Sequence, residues 1–261
     1  MCGRFAQIFQ AQDLDRIGHA ISWAPGGPTP IDEALLELLS DQHTRSYNIA
    51  PTQYASILHN GAHSSNRRPG KNISTTQAHF GLIPSWAKDR SRSSSSSMIN
   101  ARSETISAKP AYRDVYRSRR CIVPINGFYE WQKFPSSRAK QPWYLSRADS
   151  APLLLAGVCD TWLDPEHGHS EVDSFSLITT KANPFIEPIH HRMPVVLEPE
   201  SVAQWFDPEC PPRELRELLA PANDGVLCGH RISSRVNSPA NDDPSLIERD
   251  ADAMPGSLWE N

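Results

Sequence analysis

The sequence lacks any long apolar stretch. None of its 261 residues belongs to a run approaching the roughly 20 apolar residues that a membrane-spanning helix needs. The N-terminus has no apolar signal core, and Arg4 interrupts it early. We therefore expect an intracellular protein with no membrane partner, located in the nucleus of a eukaryote or in the cytoplasm of a bacterium.

Cysteine is scarce, and its spacing excludes the usual cysteine-based frameworks. The five residues are Cys2, Cys121, Cys159, Cys210 and Cys228. Their number is odd, they lie far apart and no CxxC motif occurs, which argues against a disulfide framework or a zinc site and favours a reducing compartment. The chain also lacks a GxSxG elbow, a GxxxxGK(S/T) phosphate loop and an HExxH motif.

Histidine pairs are the remaining candidates for metal binding. His167 and His169 flank a glycine, and His190 and His191 are adjacent. Adjacent histidines point in different directions, and no third ligand lies nearby in the sequence. We therefore expect no metal ion and no cofactor.

The chain also lacks a surplus of positive charge. Its net charge of −4 argues against a surface coated in basic residues for duplex DNA. A local basic groove stays possible, because the charges segregate along the sequence. The middle of the chain carries Arg113, Arg117, Arg119 and Arg120, whereas the tail carries Asp242, Asp243, Glu248, Asp250 and Asp252.

Proline and glycine, in contrast, are frequent. Twenty-three prolines and 13 glycines separate many short β candidates, and helical segments are few. This pattern predicts a β-rich α+β fold with a few peripheral helices. Because no repeat or internal linker is evident, we expect one domain over residues 1–240, with flexible insertions at about 60–78 and 90–97. Residues 241–261 are predicted to form a polar, acidic, frayed tail.

Local signals place the individual elements. Thr29 and Pro30 predict the start of a helix whose apolar face contains Ala34, Leu35, Leu38 and Leu39. Asn126 and Gly127, between two apolar runs, predict a hairpin turn. The predicted strands are Ala55–Leu58, His79–Ile83, Cys121–Pro124, Phe128–Trp131, Pro142–Leu145, Leu153–Val158, Phe175–Thr180 and Val195–Leu197, and the later helices are Val202–Phe206 and Arg213–Leu219.

Cys2 directly follows the initiator methionine, which is usually removed when the next side chain is small. Removal of Met1 would leave a cysteine with a free α-amine and a thiol on adjacent atoms. The amine can condense with an aldehyde to an imine, and the thiol can close onto the imine carbon as a five-membered ring. An internal cysteine cannot carry out this sequence of reactions.

Other candidate residues have both structural and functional interpretations. Glu130, among aromatic residues in a predicted strand, either faces water or is buried with a raised pKa. His190 is either a locally bonded loop residue or a proton carrier. Asn100 and Arg102 alternate, so they face the same side of an extended segment. Trp86 follows a predicted strand end and is either a core residue or a stacking platform.

Several short motifs, taken in order, resemble the SOS response-associated peptidase (SRAP) family, whose members process abasic sites in DNA. The resemblance covers Cys2 to about Asn237. The motifs are Cys2-Gly3-Arg4-Phe5, Tyr47-Asn48-Ile49-Ala50-Pro51, Trp86 after Gly-Leu-Ile-Pro, Asn100-Ala101-Arg102-x-Glu104, Gly127-Phe128-Tyr129-Glu130-Trp131 and Ile189-His190-x-Arg192-Met193-Pro194.

The resemblance implies a curved, barrel-like mixed sheet and a cleft for single-stranded DNA, with the chain acting as a monomer. It also implies that Cys2 links covalently to the ring-opened aldehyde of an abasic site. Glu130 would lie beside the Cys2 amine and move its proton. His190 would protonate the sugar O4′ or the departing hydroxyl, and Asn100 would orient the amine and the aldehyde.

The same resemblance implies a set of DNA contacts. Arg4 and Arg102 would bind phosphates near the lesion, and Trp86 would stack on an exposed base. The phosphate track would continue through Arg113 and Lys109. Thr179 is a further candidate, for which the adjacent Thr180 competes. The residues alone are also compatible with two other functions. One is a cysteine-type peptidase that processes itself or other chains, and the other is a non-catalytic module that binds single-stranded DNA.

Overall fold

The computed structural model describes residues 2–21, 45–60, 73–89, 98–135 and 139–250, and these residues form two β-sheets with short helices around them. The strands are β1 (Phe5–Gln7), β2 (Ser46–Ile49), β3 (Tyr54–His59), β4 (Ser74–Phe80), β5 (Asn100–Arg102), β6 (Arg120–Ile125), β7 (Gly127–Lys133), β8 (Lys140–Arg147), β9 (Leu153–Asp164), β10 (Ser170–Lys181), β11 (Arg192–Pro194), β12 (Val196–Leu197) and β13 (Leu227–Arg231). The helices are α1 (Ala11–Ile21), α2 (Arg113–Ser118), α3 (Val202–Phe206) and α4 (Pro212–Glu217), with 3-10 turns at Pro199–Ser201, Ser234–Asn237 and Pro244–Leu246.

Five strands of the larger sheet close into a barrel. Their order is β10-β4-β3-β6-β9, and β9 pairs again with β10. The β4–β10 pair is parallel and the other four pairs are antiparallel, so the barrel is mixed. Closure leaves these five strands without a free edge along their paired lengths. The predicted β-rich α+β class with a curved mixed sheet is confirmed.

The second sheet is open and has the order β13-β8-β7-β1-β2. Aromatic residues join it to the barrel. Phe5 of β1 meets Phe80 of β4 edge to face at 5.2 Å between ring centroids, and Phe80 stacks on Phe175 of β10 at 5.1 Å. All three rings are buried, and such pairs add to the energy of apolar burial. The N-terminal strand is therefore held in the middle of the core.

The predicted hairpin at Asn126-Gly127 is wrong. β6 belongs to the barrel and pairs with β3 and β9, whereas β7 belongs to the open sheet and pairs with β1 and β8. The type I′ turn that Asn-Gly favours requires positive φ at both central residues, and neither Asn126 nor Gly127 has it. Instead, the side-chain Oδ1 of Asn126 accepts a hydrogen bond from the Ile8 backbone amide (2.7 Å), and the Asn126 backbone amide donates to the Ala6 carbonyl (2.9 Å). The dipeptide carries the chain from one sheet to the other.

Residues 73–78 also differ from the predicted flexible insertion. Ser74–Phe80 is strand β4, and its residues Ser74 to His79 pair with β3. Two of its polar side chains have partners inside the fold: Gln77 donates from Nε2 to Ser56 Oγ at 2.6 Å, and Thr76 donates to Asp173 Oδ2 at 3.3 Å. A polar sequence was therefore mistaken for an exposed loop. Three predicted features lie outside the described residues. They are the rest of this insertion from residue 61, the serine-rich segment at 90–97 and the predicted helix from Thr29.

The chain after Pro239 packs against the fold as far as residue 250, so the predicted fraying is wrong there. Asp242 accepts the Tyr47 amide at 2.5 Å, and Leu246 is fully buried. The Asp250 amide donates to the Arg231 carbonyl at 3.0 Å. Residues 251–261 lie outside the described part, and the predicted domain boundary near residue 240 stays a prediction.

The other predicted elements are largely confirmed, and two helices were missed. The predicted strands from Cys121 onward correspond to β6 to β10 and β12, and the late helices to α3 and α4. Helix α1 was not predicted, although Leu14, Ile17 and Ile21 form a buried stripe on it. Short helix α2 was missed as well. Within the described ranges, no helix is long and apolar enough to cross a membrane.

Gly127→Ala tests the close approach of β7 and β8. A Cβ atom at residue 127 would lie 2.4 Å from Cζ of the buried Tyr144 ring. We expect a loss of about 1–3 kcal/mol in the free energy of unfolding, measured by urea denaturation, because overpacking a core forces neighbours to move. Tyr144→Val in the same chain removes the colliding ring, so the two changes together should cost less than their sum. Strict additivity would contradict this account.

Candidate active site

Pairing of β1 places Cys2 inside the molecule. Phe5 pairs with Ile49 of β2 on one side and with Phe128 of β7 on the other, and the Tyr129 amide donates to the Arg4 carbonyl at 2.9 Å. The segment before β1 consequently runs beside β7. Cys2 has no exposed surface there, and its carbonyl accepts a hydrogen bond from Asn100 Nδ2 at 3.0 Å.

Glu130 and His190 lie in the same region. Glu130, in β7, is only 2% exposed, so the expected burial of this side chain is confirmed and its water-facing interpretation is wrong. Its Oε1 is 3.8 Å from Nδ1 of His190. The His190 ring is held locally, because its Nδ1 lies 3.0 Å from the Arg192 carbonyl oxygen and 3.1 Å from the Arg192 amide nitrogen. The His190 backbone amide donates to the Ile186 carbonyl at 2.9 Å.

Burial controls the protonation of the thiol and the imidazole. It raises the pKa of the Cys2 thiol well above its usual range, and the negative charge of nearby Glu130 raises it further. Burial also lowers the pKa of His190, an effect that the Glu130 carboxylate opposes. At neutral pH the site therefore holds a protonated thiol and a neutral imidazole beside a buried carboxyl group.

Asn100 supplies an amide directed at the N-terminal residue. It begins β5, which pairs in parallel with β10, and Ala101 points into the core. Asn100 and Arg102 therefore share the accessible side of β5, as predicted. Among the described residues Asn100 Oδ1 is buried without a hydrogen-bond partner, so an acceptor is available for a group that enters the site.

Arg192 and Glu104 connect two of the sequence motifs, a link that sequence reasoning missed. Arg192 is 8% exposed and donates to Glu104 from both terminal nitrogens, at 2.5 Å and 3.0 Å. It also donates to the Thr179 carbonyl at 2.6 Å. This bidentate pair fixes the segment of His190 against the segment of Asn100. The sequence did contain a signal for this ion pair, because Arg192 and Glu104 have opposite charges and each belongs to one of the family motifs.

Two predicted DNA-binding residues are used inside the fold. The Arg4 guanidinium donates to Asn48 Oδ1 (2.8 Å) and to the carbonyls of Val236 (2.6 Å) and Asn237 (3.1 Å), and burial lowers its pKa. Thr179 is fully buried, and its hydroxyl lies 3.3 Å from an Arg192 nitrogen. The neighbouring Thr180 is also buried. DNA contacts by Arg4 and Thr179 stay predictions, and their described contacts are with the protein.

The other predicted DNA-binding residues lie on the surface. Trp86 lies in the loop after β4 and is 68% exposed, so its interpretation as a core residue is wrong. Arg102, at the end of β5, is exposed on the same side of that strand as Asn100. Lys109 and Arg113 are exposed at and just before the start of α2.

Glu104→Gln tests the link between Asn100 and His190. The Arg192 hydrogen bonds lower the Glu104 pKa, so the stability from this pair is present above the unfolded-state pKa, near 4.3, and is lost as pH falls through the lower folded-state value. We expect the variant to be less stable by about 1 kcal/mol at pH 7, a modest loss because Glu104 is partly exposed. The difference should vanish well below pH 4. Urea denaturation at both pH values checks this, with the exposed Glu200→Gln as a control; a constant difference would contradict it.

Comparison with known proteins places these features in a family. The abasic site processing protein YoqW of Bacillus subtilis (strain 168) is 36% identical over 250 residues, covering 95% of this chain and 99% of YoqW. The abasic site processing protein HMCES of Gallus gallus is 30% identical over 232 residues, covering 80% of this chain and 68% of HMCES. A crystal structure of a protein from Bacteroides thetaiotaomicron matches with a TM-score of 0.73 at 26% identity, over 95% of this chain and 100% of that one. The family model described as SOS response associated peptidase (SRAP) matches residues 1–239, so the chain belongs to that family.

Proposed function

We propose that this protein senses and processes abasic sites in single-stranded DNA by forming a covalent crosslink through Cys2 after removal of Met1. The observation that carries the proposal is the convergence of Asn100, Glu130 and His190 on the N-terminal residue. The Asn100 side-chain amide donates a hydrogen bond to the Cys2 carbonyl. The Glu130 carboxylate raises the pKa of the Cys2 thiol, and its Oε1 lies 3.8 Å from Nδ1 of His190. The relatives named as abasic site processing proteins support the same function.

The reaction begins at the amine, because the thiol is held protonated. A free α-amine has a pKa near 8, so a useful fraction is neutral at pH 7. Its nitrogen attacks C1′ of the ring-opened sugar aldehyde, and water leaves to give an imine. The thiol then adds across the carbon–nitrogen double bond: sulfur bonds to C1′ and its proton is transferred to nitrogen. The product is a thiazolidine, which is more durable than the imine, and one water is released overall.

Each neighbouring side chain has a place in this sequence. Glu130 accepts the proton from the attacking amine. The neutral His190 takes this proton from Glu130 and, as the imidazolium, donates it to the sugar O4′ or to the departing hydroxyl. The reverse transfers would open the thiazolidine ring and allow the crosslink to be reversed. Asn100 orients the amine and the aldehyde through its amide. Lyase activity would follow if the imine eliminated the 3′ phosphate before the thiol closed.

The electrostatics favour this chemistry over a cysteine peptidase. A nucleophilic cysteine in a peptidase needs a lowered thiol pKa, usually from an adjacent imidazolium. Here burial and the Glu130 carboxylate raise the pKa of the Cys2 thiol. A non-catalytic DNA-binding module would have no use for a buried carboxyl group and imidazole at its N-terminus.

We propose that the DNA strand is bound by those predicted DNA-binding residues that are exposed on the surface. Arg102, Lys109 and Arg113 would bind phosphates along the strand, and Trp86 would stack on an exposed base. An abasic site has no base to read, so recognition would depend on backbone geometry and an accessible aldehyde. All of these residues belong to one chain, and we propose that the protein acts as a monomer.

Cys2→Ala separates the functions of the amine and the thiol. The variant keeps a small second residue, so Met1 is still removed and an α-amine is still present. We expect no adduct that survives denaturing electrophoresis with abasic single-stranded DNA, whereas reduction with borohydride should still trap the imine. Intact mass spectrometry confirms the N-terminus in each sample. A durable adduct without reduction would show that the thiol is not required.

Glu130→Gln tests the proton carrier beside the N-terminus. We expect crosslinking to slow by about 100-fold at pH 7, because general acid–base groups typically contribute factors of this size. The measurement is the rate of adduct formation on denaturing gels under single-turnover conditions. Loss of the carboxylate should also lower the pKa of His190 further, as followed by NMR titration, since Glu130 stabilises the imidazolium. Glu171→Gln, on the exposed part of β10, is the matched control, and equal rates in both variants would refute the assignment.

A further inference from the structure

Gln132 follows Glu130 by two residues on β7, so the two side chains leave the strand on the same face. His190 belongs to the segment between β10 and β11, residues 182–191, which we call the β10–β11 loop. Gln132 is partly buried where β7 meets this loop. The strand that carries the proposed proton acceptor therefore also carries a polar side chain directed at the loop of its proposed partner.

The Gln132 amide joins a tryptophan of the sheet to this loop. Its Oε1 accepts a hydrogen bond from Nε1 of Trp143 at 3.1 Å, and its Nε2 donates to the Pro188 carbonyl at 3.1 Å. An indole N–H can only donate and a carbonyl oxygen can only accept, so a single orientation of the amide satisfies both partners. The donor and the acceptor of one glutamine are thus used in opposite directions.

Trp143 provides a fixed base for this connection. It lies opposite Glu130 on β8 and is 4% exposed. The Arg231 guanidinium of β13 lies over the indole, 5.6 Å from the ring centroid, which is a favourable cation–π geometry. Gln132 is the diagonal neighbour of Trp143 on the paired strand, a separation that an aromatic side chain can span. The bond to Pro188 consequently starts from a side chain whose own orientation is set by the sheet.

The other end of the connection restrains the backbone that leads into His190. Ile186 and Ile189 of the loop are buried, whereas Pro188 between them is exposed and accepts the bond from Gln132. Pro188 precedes His190 by two residues, and the His190 amide donates to the Ile186 carbonyl at 2.9 Å. A restraint on the Pro188 carbonyl is therefore passed on to His190 through two peptide units.

The separation of Glu130 and His190 makes such a restraint important. Oε1 of Glu130 is 3.8 Å from Nδ1 of His190, so a small approach brings them into hydrogen-bond reach and a small retreat takes them out of it. A misplacement of about 1 Å can cost a factor of about 100 in rate. Glu130 is fixed by β7, whereas His190 lies on a loop. The position of the loop relative to β7 therefore decides the distance.

We propose that Gln132 is a positioning residue for the crosslinking reaction, and that its amide holds the β10–β11 loop against β7 so that His190 stays within reach of Glu130. This rests on the proposed function, in which a proton passes from Glu130 to His190. Gln132 carries no proton in that sequence and acts through the position of His190. Loss of its hydrogen bonds lets the loop move while both proton carriers are kept.

The first test measures the coupling of Glu130 and His190 in the absence of DNA. Gln132→Met removes both hydrogen bonds at a similar side-chain length and changes no charge. The measured quantity is the drop in the His190 pKa that Glu130→Gln causes, because the Glu130 carboxylate stabilises the imidazolium. NMR titration follows it. We expect a smaller drop in a Gln132→Met background, since the carboxylate acts over a longer distance.

The comparison of drops within each background isolates this distance. Changes in the burial of His190 cancel, and so does the effect of the His191 ring, which stacks on His190 at 4.4 Å between centroids. A purely structural contribution of Gln132 to stability would leave the drop unchanged. Equal drops in the two backgrounds would overturn the proposal.

The second test measures the single-turnover rate of adduct formation with abasic single-stranded DNA at pH 7. We expect Gln132→Met to slow the reaction about tenfold, less than Glu130→Gln, because the proton carriers are displaced but not removed. In a Glu130→Gln background the same change should have almost no further effect, since the transfer that it supports is already lost. A slowing of equal size in both backgrounds would overturn the proposal.

Gln141→Met is the matched control. Gln141 lies opposite Gln132 on β8, and its Nε2 donates to the carbonyls of Pro142 and Ile232 at 3.0 Å and 3.1 Å. The change therefore also removes a glutamine amide bonded to the backbone, but outside the β10–β11 loop. We expect the wild-type rate and the full drop in the His190 pKa. Thermal unfolding verifies that each variant is folded.

Trp143→Phe reaches the same connection from its other end. It keeps an aromatic ring and removes the N–H that orients the Gln132 amide. We expect a slower reaction, with a smaller loss than in Gln132→Met, and no additional loss when the two changes are combined. If Gln132→Met does not fold, this variant decides the matter, because an unchanged rate together with an unchanged drop in the His190 pKa would overturn the proposal.

The outcomes distinguish this proposal from the function on which it rests. If wild-type protein forms no adduct, or if Glu130→Gln forms it at the wild-type rate, the proposed function fails, and the titrations without DNA still report whether Gln132 sets the separation of Glu130 and His190. If Glu130→Gln slows the reaction but Gln132→Met does not, the proposed function stands and the positioning by Gln132 alone is overturned.

Discussion

The structure depends on the pairing of β1 between β2 and β7. This three-residue strand lies in the interior of the open sheet, and its Phe5 ring is packed against the barrel at Phe80. Burial of these rings and the backbone hydrogen bonds on both sides hold a chain terminus that would otherwise fray. As a result the segment before β1 follows β7, and Cys2 is buried beside Glu130. The segment that carries the proposed nucleophile is therefore part of the core.

The same constraint sets the electrostatics of the site. A buried carboxyl group beside a buried thiol disfavours the thiolate, and burial keeps His190 neutral. These conditions are unfavourable for thiolate catalysis and suitable for a reaction that starts at an amine. The Arg192–Glu104 pair supports the arrangement from one side, because it joins the segment after His190 to the loop after Asn100. Chemistry and packing therefore rely on the same long-range contacts.

The errors of sequence interpretation have a common physical cause. Asn126-Gly127 predicts a hairpin when only its neighbours are considered, yet the two flanking strands find partners in different sheets. Residues 74–78 look like a polar loop, but the side chains of Thr76 and Gln77 form hydrogen bonds with Asp173 and Ser56 on neighbouring strands. Arg4 looks like a phosphate ligand, but backbone carbonyls near residue 236 are bound to it. In each case a partner distant in sequence decided the outcome.

The sequence alone determined the β-rich class, most of the later strands, the family and the residue types at the site. Those features follow from local patterns and from short motifs such as those around Cys2 and Glu130. Only the tertiary structure decided that the barrel closes between β9 and β10, that Glu130 is buried and that Trp86 is exposed on an anchored loop. Burial and strand pairing depend on the whole chain, because each is set by contacts between segments far apart in sequence.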